Sequence, residues 1–355
     1  MRGLRHDVDD GRSSRLTSEH PMGFSEPGDL LENIFKGDVR SLARAITRVE
    51  NRSADGTELL RRIYPHTGNS RIIGITGSPG SGKSSLVDRL AALYRRKNKK
   101  LAIVAVDPSS PFTGGAVLGD RIRMGALATD PGVFIRSMAT RGHLGGLANT
   151  TADVVSILDA ASRDPILVET VGVGQDEVDI VKLADVSVVV LVPGMGDDVQ
   201  TIKAGIMEIA DIFVINKSDR EGAERVEREI RAMQTLAIRP DQWTPPVIKT
   251  VATEGKGIPE LAAAVAGYEE FLEQKDLLLK KKISNWRERL IEMLRETLLE
   301  RLLREHVGEG EIARLAAEIA DHRRDPYSLV EEIVEGFACE KQTRHGDTEA
   351  RRTAK

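Results

Sequence analysis

Eight consecutive residues, Gly77-Ser-Pro-Gly-Ser-Gly82-Lys83-Ser84, match the spacing of a loop that cradles phosphates. A β-branched run, Ile72 to Thr76, precedes them and a helical run, Leu86 to Arg95, follows. That strand–loop–helix context is what the chemistry requires. Glycines let the backbone curl so that successive N–H groups point inward at phosphate oxygens. Lys83 adds positive charge for the β- and γ-phosphates, and the Ser84 hydroxyl can ligate Mg²⁺. Gly77, Ser78, Pro79, Gly80, Ser81, Gly82, Lys83, Ser84 and Ser85 are therefore candidate nucleotide ligands.

The choice of base falls to Asn216-Lys217-Ser218-Asp219, directly after the apolar run Ile212 to Ile215. A carboxylate at Asp219 accepts from both N1–H and the exocyclic amine of guanine, whereas adenine offers no such paired donors on that edge. GTP is thus expected over ATP, with Asn216, Lys217 and Asp219 around the base. Thr250-Val251-Ala252 ends the last expected strand, where the backbone N–H of Ala252 is placed to touch the guanine carbonyl.

Between these motifs, Glu169-Thr170-Val171-Gly172 closes the run Ile166 to Val168. A carboxylate near the metal and a glycine N–H near the γ-phosphate make a nucleotide sensor. Val173 follows Gly172 where small signalling GTPases carry a water-orienting glutamine, so slow intrinsic hydrolysis is expected; Gln175 and Asp176 are nearby candidates for that task. Asp107 and Asp120 bracket a segment with two prolines and three glycines, which reads as a switch loop. Asp107 alone reads equally as a structural strand-end acid. Pro193 to Lys203 follows another strand at the same sheet edge and is a candidate second switch, with Lys203 reaching in. His143 lies in a glycine-rich stretch and is a weaker candidate ligand or base.

These residues need a scaffold. Seven short Val/Ile/Leu-rich runs, starting at Ile72, Leu101, Val133, Ile166, Val186, Ile212 and Val247, alternate with longer helical segments. Near-continuous apolarity means strands covered on both faces, hence an α/β domain with a mostly parallel central sheet over residues 70–257. A helical extension over 29–69 precedes it, and helices over 258–340 follow. In the long helix expected from Asp276 to His306, Ile283, Trp286, Leu290, Leu294, Leu298 and Leu302 form one stripe, which Ile291, Leu299 and Leu303 widen. Such an arc is expected to meet both its own domain and something else. Residues 1–28 and 341–355 read as a disordered arm and a frayed tail.

Composition narrows the classes. With 51 Lys+Arg against 55 Asp+Glu the net charge is −4, so no nucleic-acid partner is expected. No apolar run reaches the roughly 20 residues of a membrane helix, so no membrane role is expected. A single cysteine, Cys339, excludes an internal disulfide or multi-Cys metal site and fits a reducing, cytoplasmic setting.

Taken together, Val106-Asp-Pro-Ser-Ser, Glu169-Thr-Val-Gly-Val-Gly-Gln, Val192-Pro-Gly-Met-Gly-Asp and Asn216-Lys-Ser-Asp resemble the G-protein chaperones of adenosylcobalamin-dependent methylmalonyl-CoA mutase. The similarity runs from about Leu30 to Ala338. It implies a phosphate-loop GTPase that couples GTP binding and hydrolysis to delivery of intact cofactor and to protection or reactivation of that or a related acyl-CoA mutase. It also implies GTP/GDP and Mg²⁺ as cofactors, with Ser84, Asp107, Asp120 and Glu169 around the metal. Lys83, Glu169 and Lys203 are the implied catalytic set, Lys203 lying in a switch that communicates with the mutase. The C-terminal helices match a homodimerisation element. The competing readings are a GTP-dependent metallochaperone, which the scattered histidines disfavour, and a kinase-like ATPase of an amino-acid transport system, for which no substrate-hydroxyl base motif is present.

Overall fold

The computed structural model describes residues 27–107, 125, 127–139, 146–170, 183–194, 209–236, 239–308 and 310–336. Seven strands form one sheet: β1 (Ile72–Thr76), β2 (Leu101–Asp107), β3 (Val133–Ala139), β4 (Ile166–Thr170), β5 (Val186–Leu191), β6 (Ile212–Asn216) and β7 (Val247–Thr250). Their order is β3-β2-β4-β1-β5-β6-β7, and every pairing is parallel. All seven expected runs are strands, with small shifts at the ends. β3 continues past Ser137 because its partner β2 continues alongside, pairing Val106 with Met138 and Asp107 with Ala139.

Helices cover both faces, as the apolar strands require. On one face α4 (Lys83–Arg96) and α7 (Ile258–Gln274) bury Leu86, Leu90, Leu261, Val265 and Tyr268 against Ile73, Ile75, Ile103 and Val188. On the other, α5 (Gly146–Ala160) and the N-terminal helices α1 (Pro27–Phe35), α2 (Val39–Glu50) and α3 (Ala54–Ile63) cover β2, β3 and β4. α6 (Ala223–Leu236) covers β5 and β6. The N-terminal extension therefore shares the core of the sheet. Its start follows local rules: Asp38 caps α2 by accepting from Ser41 N at 2.7 Å, and Ser53 caps α3 through Gly56 N at 3.0 Å. Likewise, α7 belongs to the packed cover of the sheet although it lies beyond residue 257.

The long helix α8 (Leu278–Leu302) behaves differently. None of its 25 residues is buried. Leu278 at its start packs against the core of the sheet, and beyond it the attachments are polar or aromatic: Lys281 Nζ donates to Asp211 Oδ2 at 2.8 Å and to the Asp185 carbonyl at 2.7 Å, while Trp286 meets Tyr64 edge-on. Arg289 pairs with Asp153 of α5 at 2.7 Å, and Arg52 pairs with Glu300 at 2.7 Å. The apolar stripe, by contrast, faces outward, with Ile283, Leu290, Leu294 and Leu298 each about half exposed. A π-type turn (Leu303–Val307) then leads to α9 (Glu311–Ala320) and α10 (326–336), which close a small cluster of Val307, Leu315 and Leu329.

Candidate guanine-nucleotide site

The site lies at the C-terminal ends of the central strands, beside the point where β1 separates β4 from β5. The loop 77–82 leaves β1 under a tight constraint. Gly77 has φ 139°, and a Cβ there would overlap the Val190 carbonyl of β5. At the other end Gly82, with φ 88°, packs so closely on the Asn216 amide that no side chain fits. Both positions therefore demand glycine. α4 begins at Lys83, three residues earlier than the apolar run implied, and no side chain caps it. The first-turn amides are thus left to an anion in the loop.

Lys83 is buried, and its Nζ donates to the carbonyls of Gly77 and Ser78, the latter at 3.0 Å. The loop thereby holds its own cation at its mouth. The Ser84 hydroxyl donates to Glu169 Oε1 at 2.6 Å, joining the loop to the end of β4. Thr170 Oγ1 donates to Thr76 Oγ1 at 3.1 Å, so the ends of β1 and β4 are tied a second time. A hydroxyl and a carboxylate oxygen side by side are the hard oxygen donors that Mg²⁺ takes, and the pair fits that ion. Among the described residues no cluster of three His, Cys, Asp or Glu side chains adds to it. Asp107 ends β2 next to β4, but its side chain lies outside the described residues, as do Asp120, His143, Gly172, Gln175, Asp176 and Lys203.

On the base side, Asn216 works as a rivet rather than as a surface ligand. It is buried; its Nδ2 donates to the Ser81 carbonyl at 2.8 Å, and its Oδ1 accepts from Thr250 Oγ1 and from Ala252 N, each at 3.1 Å. One amide therefore links loop, β6 and the turn after β7. Lys217, with φ 55°, donates from Nζ to the Gly80 carbonyl at 2.8 Å, laying its stem across the site. Asp219 is exposed, and its carboxylate has no hydrogen-bond partner among the described residues. Nearby, Lys256 pairs with Glu254 at 2.6 Å; that bond holds its ammonium above the usual lysine range, with Asp219 adding to the effect.

Two features were not visible in the motifs. The Ala252 amide is already engaged by Asn216, so within this turn the amide of Thr253 is the one with no partner among the described residues. Arg89, on the exposed side of α4, reaches the same turn: its Nε donates to the Ala252 carbonyl at 3.2 Å and its Nη2 to that of Thr253 at 2.9 Å. Nothing in the sequence signals this contact, since Arg89 is one exposed arginine on a helix.

A family model described as "Methylmalonyl Co-A mutase-associated GTPase MeaB" matches residues 42–307. The chain belongs to this family. A protein of Pyrococcus abyssi (strain GE5 / Orsay) named as a GTPase is 50% identical over 311 residues, covering 86% of this chain and 95% of that protein. The "Methylmalonic aciduria type A homolog, mitochondrial" of Caenorhabditis elegans is 34% identical over 273 residues, 71% of this chain and 68% of its own. A crystal structure of a "LAO/AO transport system kinase" superposes with a TM-score of 0.68 at 27% identity, covering 89% of this chain and 99% of that one. The chain is accordingly a GTPase of the phosphate-loop class, built on a parallel α/β sheet. No helix among the described residues is long and apolar enough to cross a membrane.

Proposed function

We propose that this GTPase acts as a chaperone of an adenosylcobalamin-dependent acyl-CoA mutase, methylmalonyl-CoA mutase above all, and that GTP hydrolysis times cofactor delivery to it and its protection or reactivation. The observation that carries the nucleotide part is the Ser84–Glu169 bond, which joins the phosphate loop to the start of the sensor segment. The mutase part is supported by the family description and by the motifs that carry the resemblance.

In this reading GTP lies with its phosphates against the loop 77–85 and the uncapped start of α4. Lys83 leaves carbonyl partners for β- and γ-phosphate oxygens and neutralises charge that builds up there during transfer. Asp219 accepts the two guanine donors, and Lys217 flanks the base. Mg²⁺ would be held by Ser84 and Glu169, with Asp107 and Asp120 completing its shell, and when bound it draws charge from the phosphate oxygens. Gly172 senses the γ-phosphate. Lys203 belongs to the switch that a mutase orders, and a partner that completes the site raises the rate.

The outward stripe of α8 supports a homodimer. Ile283, Leu290, Leu294 and Leu298 are each about half exposed along one face of the helix, an apolar stripe of the kind that a partner surface covers. The reading includes a reducing, cytoplasmic setting, with which the single cysteine is compatible. Phosphate release from GTP with and without mutase, run beside phosphotransfer to a transport-binding protein, tests the reading: stimulation by mutase supports it, and transfer to the binding protein overturns it.

A further inference from the structure

We propose that Arg89 is a positioning residue for guanine selectivity: from the phosphate-loop helix it orients the turn that offers the Thr253 amide to the guanine carbonyl. This rests on the guanine reading of Asp219 given above.

The geometry is a fork on two consecutive carbonyls. A guanidinium presents donors in a rigid plane, and here Nε and Nη2 meet the oxygens of Ala252 and Thr253 at 3.2 and 2.9 Å. Those residues form the short 3₁₀ turn Ala252–Glu254 after β7. Because a peptide unit is planar and trans, pulling the Ala252 carbonyl toward α4 turns the N–H of the same unit, that of Thr253, away from α4. The amides on either side are already committed: Ala252 N donates to Asn216 Oδ1 at 3.1 Å and Glu254 N to the Val251 carbonyl at 3.0 Å. Thr253 N–H has no partner among the described residues, and Thr253 is exposed.

The base-reading segment lies against this turn, since Ser218 N donates to the Thr250 carbonyl at 3.0 Å. In guanine the carbonyl at C6 adjoins N1–H, so a base whose N1–H faces Asp219 brings that oxygen to the neighbouring donor. Adenine has an amine there, which an N–H repels. Beside Arg89, the Ala252 carbonyl accepts from Gly255 N at 3.2 Å within the turn, whereas the Thr253 carbonyl has no partner other than Arg89 among the described residues. Arg89 therefore links the half of the site that grips phosphate to the half that reads the base, while touching neither.

Dissociation constants for GTP, ITP, ATP and inorganic tripolyphosphate, measured by calorimetry on the full chain with Arg89→Ala and Arg89→Lys, test this. GTP and ITP, which keep the C6 carbonyl, are expected to weaken about tenfold in Arg89→Ala, with KM for GTP rising and kcat unchanged. ATP and tripolyphosphate should stay within about twofold. Arg89→Lys should recover part of the loss, since an ammonium reaches one carbonyl but not both. Arg89 is exposed, so the melting temperature should be nearly unaltered. Unchanged GTP affinity overturns the role, as does a fall by one common factor for all four probes, which would mean a disturbed phosphate loop. A wild type that binds GTP and ATP alike would remove the guanine reading itself, and Arg89's role with it.

Discussion

Lys83 is buried and donates to the loop carbonyls of Gly77 and Ser78, a loop that closes on itself at the sheet edge, so its replacement should separate binding from folding. Lys83→Ala is expected to weaken GTP by roughly a hundredfold, the scale of losing charge-assisted bonds in a sheltered site, with little change in melting temperature. Calorimetry beside thermal denaturation checks this. Asn216→Ala should do the opposite of separating them, because that amide joins Ser81, Thr250 and Ala252; both stability and GTP affinity should fall together. Asp219→Asn replaces an acceptor with a group that also donates, so affinity should move from GTP toward XTP, whose carbonyl replaces the guanine amine. Equal GTP affinity in variant and wild type would remove Asp219 from base recognition. Lys83, Ser84 and Asp219 were legible because their chemistry fixes their spacing relative to a strand end. Arg89 was not, since an exposed arginine on a helix looks the same whether it meets water or a distant turn. The engagement of the Ala252 amide by Asn216 was equally hidden, as it depends on how β6 and β7 pair.

The central strands β4, β5 and β6 were readable from β-branched runs alone because each is buried along its whole length, whereas the edge strands β3 and β7, with Arg136 half-buried and Lys249 exposed, were readable from their place in the alternation. α8 was half readable. Its apolar arc was evident, but periodicity gives a face without saying what covers it, and here the domain side is held by Lys281, Arg289 and Glu300 instead. Two predictions belong to this helix. Leu290→Glu with Leu294→Glu places charges in the exposed stripe; if a second copy covers it, the dimer should weaken at least about a hundredfold in analytical ultracentrifugation while GTP affinity holds. The other concerns its clamp. Burial pushes the Asp153 carboxyl up to about 6, opposed by Arg289 and Arg52 and aided by Glu296. A carboxyl raised in the fold binds more protons there than in the unfolded chain, so its contribution to stability falls as pH rises from about 4 to about 6. Asp153→Asn removes that slope: relative to wild type it should gain about 2 kcal/mol between pH 4 and pH 7, allowing for partial exposure of the side chain. Parallel stability curves for the two proteins would contradict the assignment.

At the scale of the whole molecule, three parts converge: a phosphate loop tied to the sensor strand, a base site tied to the same loop through Asn216, and an apolar arm left uncovered. The first two make a GTPase; in the proposed reading the third is the surface that a second copy covers. On the proposed reading, Val173 in place of a water-orienting glutamine should leave the free protein a slow enzyme, and a partner that completes the site around Glu169 should speed it. By linkage, GTP and GDP should then bind the complex with different affinities, which is the difference that could time cofactor transfer. Stabilising the transition state by about 2.7 kcal/mol corresponds to roughly a hundredfold in rate. The most direct measurement is therefore the rate of GTP hydrolysis by the full chain with Mg²⁺, alone and with the proposed partner, an adenosylcobalamin-dependent methylmalonyl-CoA mutase, at saturating concentration. A rise of about tenfold or more is predicted; a mutase that binds and leaves the rate unchanged would contradict the account.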